Sequence, residues 1–397
     1  MKNPTGAQLA ALRRQAARIA GGLPPPSRNA DGTLSGPSRA QVAAAAQRIL
    51  RRHRAVGASL VLCAPGGATD VLTFGLARRR LRVPVTERTC FRVASVSKLV
   101  MTFGALSLAA DGLLGLDDEL GAHLGYPVRH PLYPDAPVTL RMLLTHTAAL
   151  RDEGSYGTRG MEPGCTLREL LRDPANWLAQ RPGESFHYTN LGAGAAGAVM
   201  ERAAGQPFDA LMQRRVFAPL GVRASYDPRR ISPPGDLADG YAVRPLLPPR
   251  LRYDAAALAA RPPEPFDPER DYLIAAGRLI TDSAGMATLI RLLASKDGMG
   301  VLPGELLALM RAPQDGMGGV ARAGRGLNTA FLPGVFEGFS PVGHQGVAYG
   351  MCAELFADPA RGCGVGVMTS GVRLTRQPPL MRAGFELLAL GFASLRD

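Results

Sequence analysis

Apolar positions follow two different rhythms along this chain, and the change of rhythm divides it. Ser59-Leu60-Val61-Leu62-Cys63 and Val71-Leu72-Thr73-Phe74 flank Pro65-Gly66-Gly67. Short apolar runs around such a turn predict a β-hairpin. Just before it, residues 40–53 have the spacing of an amphipathic helix. Residues 95–111 are almost uniformly apolar and close on Gly112, which predicts a buried helix with a glycine stop. Residues 138–222 read as mostly helical, and residues 282–295 as a further helix. Between these two, residues 223–270 carry many Pro and Arg with little periodicity, so a long irregular excursion is expected. Met351 to Phe356 and Cys363 to Thr369 read as strands separated by Asp358-Pro359. A last helix is expected over about 378–394, where Met381, Phe385, Leu388 and Phe392 share helical spacing.

Strands therefore sit at both ends of the chain and helices fill the middle. The economical assembly is an α/β fold of the α+β type: one antiparallel sheet built from both ends, helices on its faces, and a helical insert over roughly 95–300. A cleft between sheet and insert is the natural place for a site. Residues 1–40 are basic and Ala-rich, then rich in Pro, Gly and Ser. They are expected to form a short helix and a loosely ordered linker ahead of one domain at 41–397.

Charge and length narrow the function. The longest uncharged apolar stretch, Leu99 to Ala110, is 12 residues, whereas crossing a bilayer takes about 20. No membrane span is expected. The 397 residues carry 46 Lys+Arg against 33 Asp+Glu, a net charge of +13. The arginines are spread along the chain, with only short runs such as Arg78-Arg79-Arg80. A solvated basic surface is expected rather than a nucleic-acid site. Lys2, Lys98 and Lys296 are the only lysines. Where a surface cation suffices, this chain uses Arg, so a lysine inside the apolar 95–111 segment suggests a task that needs proton loss. The five cysteines show no CxxC spacing and read as buried thiols. No ligand set such as HExxH is present, so neither metal nor other cofactor is expected. No secretory signal is read at the N-terminus, which points to the cytoplasm.

Three short patterns carry chemistry. Ser95-Val96-Ser97-Lys98 opens the buried helix. Positions i and i+3 share a helix face, so the hydroxyl and the amine can meet. Burial disfavours the charged amine, and a neutral amine can take the hydroxyl proton and leave a nucleophile. The same pair can also be an ordinary helix cap and a snorkelling lysine. Tyr188-Thr189-Asn190 follows Pro182-Gly183-Glu184. A phenol hydrogen-bonded to the lysine can act as a general base, and Asn190 offers a donor and an acceptor to a substrate amide. Alternatively this is a turn capping the next helix. His344-Gln345-Gly346 precedes the C-terminal strand pair. A glycine on an edge strand lets a substrate backbone approach. The backbone N–H groups of Ser95 and Val347 can then form an oxyanion hole.

In this order, SxxK, YxN and HxG resemble the class C β-lactamase-like serine hydrolases: class C β-lactamases, D-alanyl-D-alanine carboxypeptidases, D-aminopeptidases and related esterases. Leu113-Leu114-Gly115-Leu116-Asp117-Asp118, followed by Val138-Thr139-Leu140-Arg141-Met142-Leu143-Leu144-Thr145-His146-Thr147, is similar to the family's "LDD … ITIRHLLTHTSGL" stretch. Phe217-Ala218-Pro219-Leu220-Gly221 is similar to "IFEPLGM". The resemblance covers about 45–395. Where the family has HTSGL, this chain has His146-Thr147-Ala148-Ala149-Leu150. The "STADDLAKF" segment reads Thr281 to Leu289 and loses its usual acid. His344 stands where class C β-lactamases carry the lysine of KTG, which tilts the reading away from a dedicated β-lactamase.

The resemblance implies hydrolysis of an ester or amide: a small acyl ester, a D-amino-acid peptide or a β-lactam. It implies an acyl-enzyme on Ser95, proton transfer shared by Lys98 and Tyr188, and a pocket lined by Asn190, His344 and Gly346. His146 is expected to be structural. His344 is expected to be neutral at neutral pH and charged in acid, where it would attract a substrate carboxylate. The alternative is a catalytically silent member of the fold, used as a binding or assembly module. The intact Ser95, Lys98 and Tyr188 argue against it.

Overall fold

The computed structural model describes residues 6–23, 27–28, 34–159, 164–262, 267, 269–314 and 325–396. Helices α1 (Gly6–Ala20) and α2 (Arg39–Arg52) precede strands β1 (Gly57–Cys63), β2 (Thr69–Arg78) and β3 (Val83–Pro84). The middle of the chain holds α3 (Val96–Ala110), α4 (Asn190–Ala204) and α5 (Ser283–Ala294). Strands β4 (Arg325–Gly326), β5 (Thr329–Phe331), β6 (Val342–Ala348), β7 (Met351–Asp358) and β8 (Cys363–Gly371) follow, and α6 (Arg382–Ser394) closes the chain. The eight strands form one antiparallel sheet in the order β4-β5-β6-β7-β8-β1-β2-β3. The two ends of the chain meet at the β8–β1 pair, as the strand pattern predicts.

Both faces of the sheet are covered, so its central strands are buried along their whole length. Alternate side chains go to opposite faces. Leu60, Leu62, Val365 and Val367 pack with α1, α2 and α6. Val61, Cys63 and Met368 pack with α5 and the helical middle of the chain. All five cysteines are buried thiols, none in a disulfide. Helix α3 is buried on every side from Val96 to Leu108, which its lack of a polar face demands.

Three expectations need correction. The short helix expected in the N-terminal extension is present over residues 6–20 but is docked rather than loosely ordered, and the linker expected after it lies partly outside the described residues. Leu12 and Ala16, one turn apart, are buried against the α6 layer. Arg13 Nη2 donates to Pro333 O at 3.3 Å. The stretch 138–222 is helical only in pieces; between Leu140–Leu144 and α4 it is mostly loop. Gly154, Pro174 and Pro182-Gly183 interrupt any long helix there. The last helix begins at Arg382, because Pro378-Pro379 joins two short strands, Arg376–Gln377 and Leu380–Met381. The excursion at 223–270 is largely irregular as expected, with one small hairpin, Gly240–Ala242 paired with Arg250–Tyr253.

Ala149 shows how a departure from the family pattern is accommodated. It stands where the family has glycine and holds φ at +58°. A Cβ in that region costs about 1–2 kcal/mol, partly offset by a stiffer unfolded chain. Ala149→Gly should therefore stabilise the protein by about 0.5–1 kcal/mol, read from chemical denaturation midpoints. A destabilised variant would contradict this reading.

Candidate active site

Ser95 lies at the head of α3, directly after Ala94, whose φ of +48° is unusual for a side-chain-bearing residue. Strain of this kind persists only where surroundings impose it. Here Ala94 O accepts from Ser97 N at 2.9 Å and from Ser97 Oγ at 2.5 Å. Leu279 N donates to Ser97 Oγ at 3.0 Å, and Tyr226 OH donates to Ser97 O at 3.0 Å. Ser97 thus pins the turn, while the Ser95 side chain makes no capping bond. The cap reading of Ser95 is excluded.

Lys98 is fully buried, so it does not snorkel. Its Nζ lies 3.2 Å from Ser95 Oγ, 2.9 Å from Asn190 Oδ1 and 2.6 Å from Ala276 O. As an ammonium it donates to all three. As an amine it has two N–H groups, and Ala276 O and Asn190 Oδ1 can only accept. Its lone pair is then left facing Ser95 Oγ.

The asparagine is oriented by a residue that sequence reasoning missed. Asp152 accepts from Asn190 Nδ2 at 2.9 Å, from Asn190 N at 2.8 Å and from Leu191 N at 3.1 Å. This fixes which end of the amide faces Lys98. Burial pushes the Asp152 pKa up, and these donors oppose it. Asn190 therefore has one free N–H for a substrate, fewer than its expected pocket role supposed. Asp152 lies 38 residues from Asn190 in sequence, and nothing local pairs them. Ala276 O was equally hidden, being a backbone atom. Its segment approaches because α4 is small-sided: a Cβ on Gly197 would lie 2.6 Å from Ala275 Cβ.

Tyr188 meets Lys98 by its face. Nζ sits 5.1 Å from the ring centroid, and no hydrogen bond joins phenol to amine as expected. His146 packs on the same ring at 4.5 Å. Its Nδ1 accepts from Thr189 N at 3.3 Å, so it holds the tyrosine loop. Burial, then the Lys98 charge, push its pKa well below the ordinary value.

His344, Gly346 and Val347 lie on β6; Gly346 and Val347 run past the end of β5, where the strand has no partner strand on that side among the described residues. A Cβ on Gly346 would lie 2.0 Å from Val93 O and 2.9 Å from Ser95 N. Only glycine permits this approach of β6 to Ser95. Pro341 O accepts from Leu332 N on the β5 side. The register of β6 with β7 then runs without a shift, so every second residue points the same way. The Val347 N–H accordingly faces that side of the strand, the side of Ser95.

His344 corrects the pH expectation. It is buried, and its Nδ1–H donates to Gln345 O at 2.6 Å. Burial first, then the charge of Lys98, lower its pKa to about 3. Arg325, over the Phe186 ring at 4.4 Å, adds to the repulsion. His344 stays neutral at pH 6 and offers no charge to a carboxylate. The KM ratio of a carboxylate-bearing to a neutral ester should thus be the same at pH 6 and pH 8. A selective gain for the carboxylate substrate at pH 6, lost in His344→Gln, would overturn this. Stability follows the same shift. Below about 6.5 the unfolded chain gains a proton that folded His344 refuses until about pH 3. The folded state should lose stability as pH falls through that window.

The family profile described as Beta-lactamase matches residues 42–384. Esterase EstB of Burkholderia gladioli is 31% identical over 371 residues, covering 83% of this chain and 90% of that protein. The D-alanyl-D-alanine-carboxypeptidase/endopeptidase AmpH of Escherichia coli (strain K12) is 28% identical over 188 residues, 46% of this chain and 48% of AmpH. Among solved structures, EstCE1, a hydrolase with promiscuous acyltransferase activity, superposes with a TM-score of 0.70. That match has 23% identity and covers 97% of this chain and all of EstCE1 (100%). Fold and family together define a serine hydrolase of the penicillin-binding-protein-like type. This chain belongs to the Beta-lactamase family.

Proposed function

We propose that this chain hydrolyses a neutral carboxylic ester, or a related amide, through an acyl-enzyme on Ser95 with Lys98 as the activating base. One observation carries the reading: Lys98 Nζ sits between two fixed acceptors, Asn190 Oδ1 and Ala276 O, and 3.2 Å from Ser95 Oγ, so that in its amine form the lone pair is left for the hydroxyl. As Oγ attacks the acyl carbon, its proton passes to Lys98 Nζ. The Tyr188 ring face, 5.1 Å away, stabilises the ammonium so formed. The carbonyl oxygen becomes an oxyanion between the N–H groups of Ser95 and Val347. Collapse of the tetrahedral adduct breaks the bond to the leaving group, which takes the proton from Lys98. Water then enters and attacks the acyl carbon, giving a proton to Lys98; collapse breaks the bond to Ser95 Oγ, which takes that proton back as the acid leaves.

Neutral His344 supports an ester without a carboxylate at that end of the cleft. Esterase EstB supports the same class. A silent binding module has no use for the strained Ala94 or the saturated lysine.

The test is a fluorophosphonate probe, read by mass on the proteolytic fragment bearing Ser95, beside a panel of p-nitrophenyl esters, D-amino-acid amides, D-Ala-D-Ala peptides and nitrocefin. An adduct on Ser95 and preferred turnover of esters are expected. A folded but unlabelled protein, or a label elsewhere, would refute the assignment.

Asp152 acts in this scheme through Asn190. Asp152→Ala removes the acceptor that holds the Asn190 amide, so kcat should fall about 10- to 100-fold, the effect of a small misplacement, with KM little changed. In an Asn190→Ala background the same substitution should cost little more, since its route of action is gone. Additive losses would show that Asp152 does not work through Asn190.

A further inference from the structure

The chain's positive charge, spread out in sequence, is gathered in space. The β2–β3 turn carries Arg79, Arg80 and Arg82, and the small hairpin carries Arg244, Arg250 and Arg252. All six are exposed, and none forms an ion pair among the described residues. No Asp or Glu occurs in residues 71–86 or 240–253. The two segments touch: Arg79 N donates to Tyr241 OH at 2.7 Å, and Asp239 N to Ala77 O at 3.0 Å.

Each turn also presents leucine to solvent. Leu81 is 69% exposed, Leu246 96% and Leu247 52%. The hairpin tip is held rigidly. Arg54 donates to Arg244 O at 2.8 Å and to Leu247 O at 3.0 Å, and Pro245, Pro248 and Pro249 restrict the loop. Single exposed leucines are ordinary. Three in two turns whose segments touch, amid arginines with no ion pair among the described residues, are not.

We propose that this face docks on an anionic lipid surface, the leucines entering the acyl boundary and the arginines meeting the headgroups. The combination is that of interfacial binding: apolar side chains that insert and cations that attract. A nucleic acid would use the arginines and leave the leucines without a role. The face also adjoins the free end of β6. A Cβ on Gly350 would strike Tyr241 O, and Tyr349, 42% exposed, stacks on Tyr253 at 5.8 Å. Docking would therefore bring the cleft-bearing edge to the bilayer. No helix among the described residues is long and apolar enough to cross it.

The test is vesicle flotation of the full chain at low salt, with phosphatidylglycerol-containing and pure phosphatidylcholine vesicles. Binding is expected on the anionic vesicles only. Each cation facing such a leaflet contributes about fivefold, so Arg79→Glu/Arg80→Glu/Arg244→Glu should weaken partitioning by at least about 100-fold. Leu81→Ser/Leu246→Ser/Leu247→Ser should make the remaining binding sensitive to salt. Turnover of a soluble ester should be unchanged in both variants, which shows that they fold. The native cysteines are buried, so a polarity-sensitive dye on Leu246→Cys reports insertion by a blue shift even if the triple variants misfold. Absent flotation, equal binding to neutral vesicles, no blue shift, or tighter binding to duplex DNA than to vesicles would each overturn the proposal.

Discussion

Lys98→Arg should lower kcat by about 100-fold or more, the contribution of a general base, with the largest loss in acylation. The substitution keeps a positive charge beside Ser95. What it removes is the ability to hold a lone pair there, because a guanidinium stays protonated at any working pH. The slot also refuses the larger group. Lys98 is fully enclosed, and its amine fits between Ala276 O and Asn190 Oδ1. Some loss of stability is therefore expected too. Rate and folding are separated by measuring burst kinetics on an ester at a temperature where near-ultraviolet circular dichroism shows the native signal. If a folded Lys98→Arg protein keeps a near-normal burst, Lys98 is a charge partner and another group takes the Ser95 proton.

Gly346→Ala is the second large effect. A Cβ would sit 2.0 Å from Val93 O and 2.9 Å from Ser95 N. Neither is the loose end of a side chain, so β6 must retreat from α3. Retreat carries the Val347 N–H away from the position facing Ser95. Loss of one oxyanion donor costs about 100- to 1000-fold in kcat. Forcing a methyl into a packed contact costs about 1–3 kcal/mol of stability. The melting temperature should fall together with kcat/KM. A variant of normal activity would show that the edge of β6 takes no part in the reaction.

Asp152 and His344 show where reading by pattern stops. SxxK, YxN and HxG could be found because each is a local word: two groups on one helix turn, a turn before a helix, a glycine on a strand. What surrounds each word comes from elsewhere in the chain. Asp152 reaches Asn190 across 38 residues, and Ala276 O reaches Lys98 across 178. The titration of His344 depends on burial and on the charges of Lys98 and Arg325, none of which its neighbours in sequence disclose. The reference value for histidine was therefore the wrong guide to it. The basic face is a similar case. The β2–β3 turn and the hairpin are remote in sequence and touch at Arg79 N with Tyr241 OH and at Asp239 N with Ala77 O.

The sequence by itself determined the sheet built from both chain ends, the buried α3, the pairing of Ser95 with Lys98 on one helix turn, and the family. Each rests on periodicity or on spacing within a few residues, where covalent geometry fixes what can meet. The tertiary structure alone decided which acceptors occupy the amine of Lys98, that His344 is neutral, that Tyr188 offers its face, and that the N-terminal helix is docked. Those outcomes depend on distances between segments and on exclusion of water, and neither exists until the chain has folded.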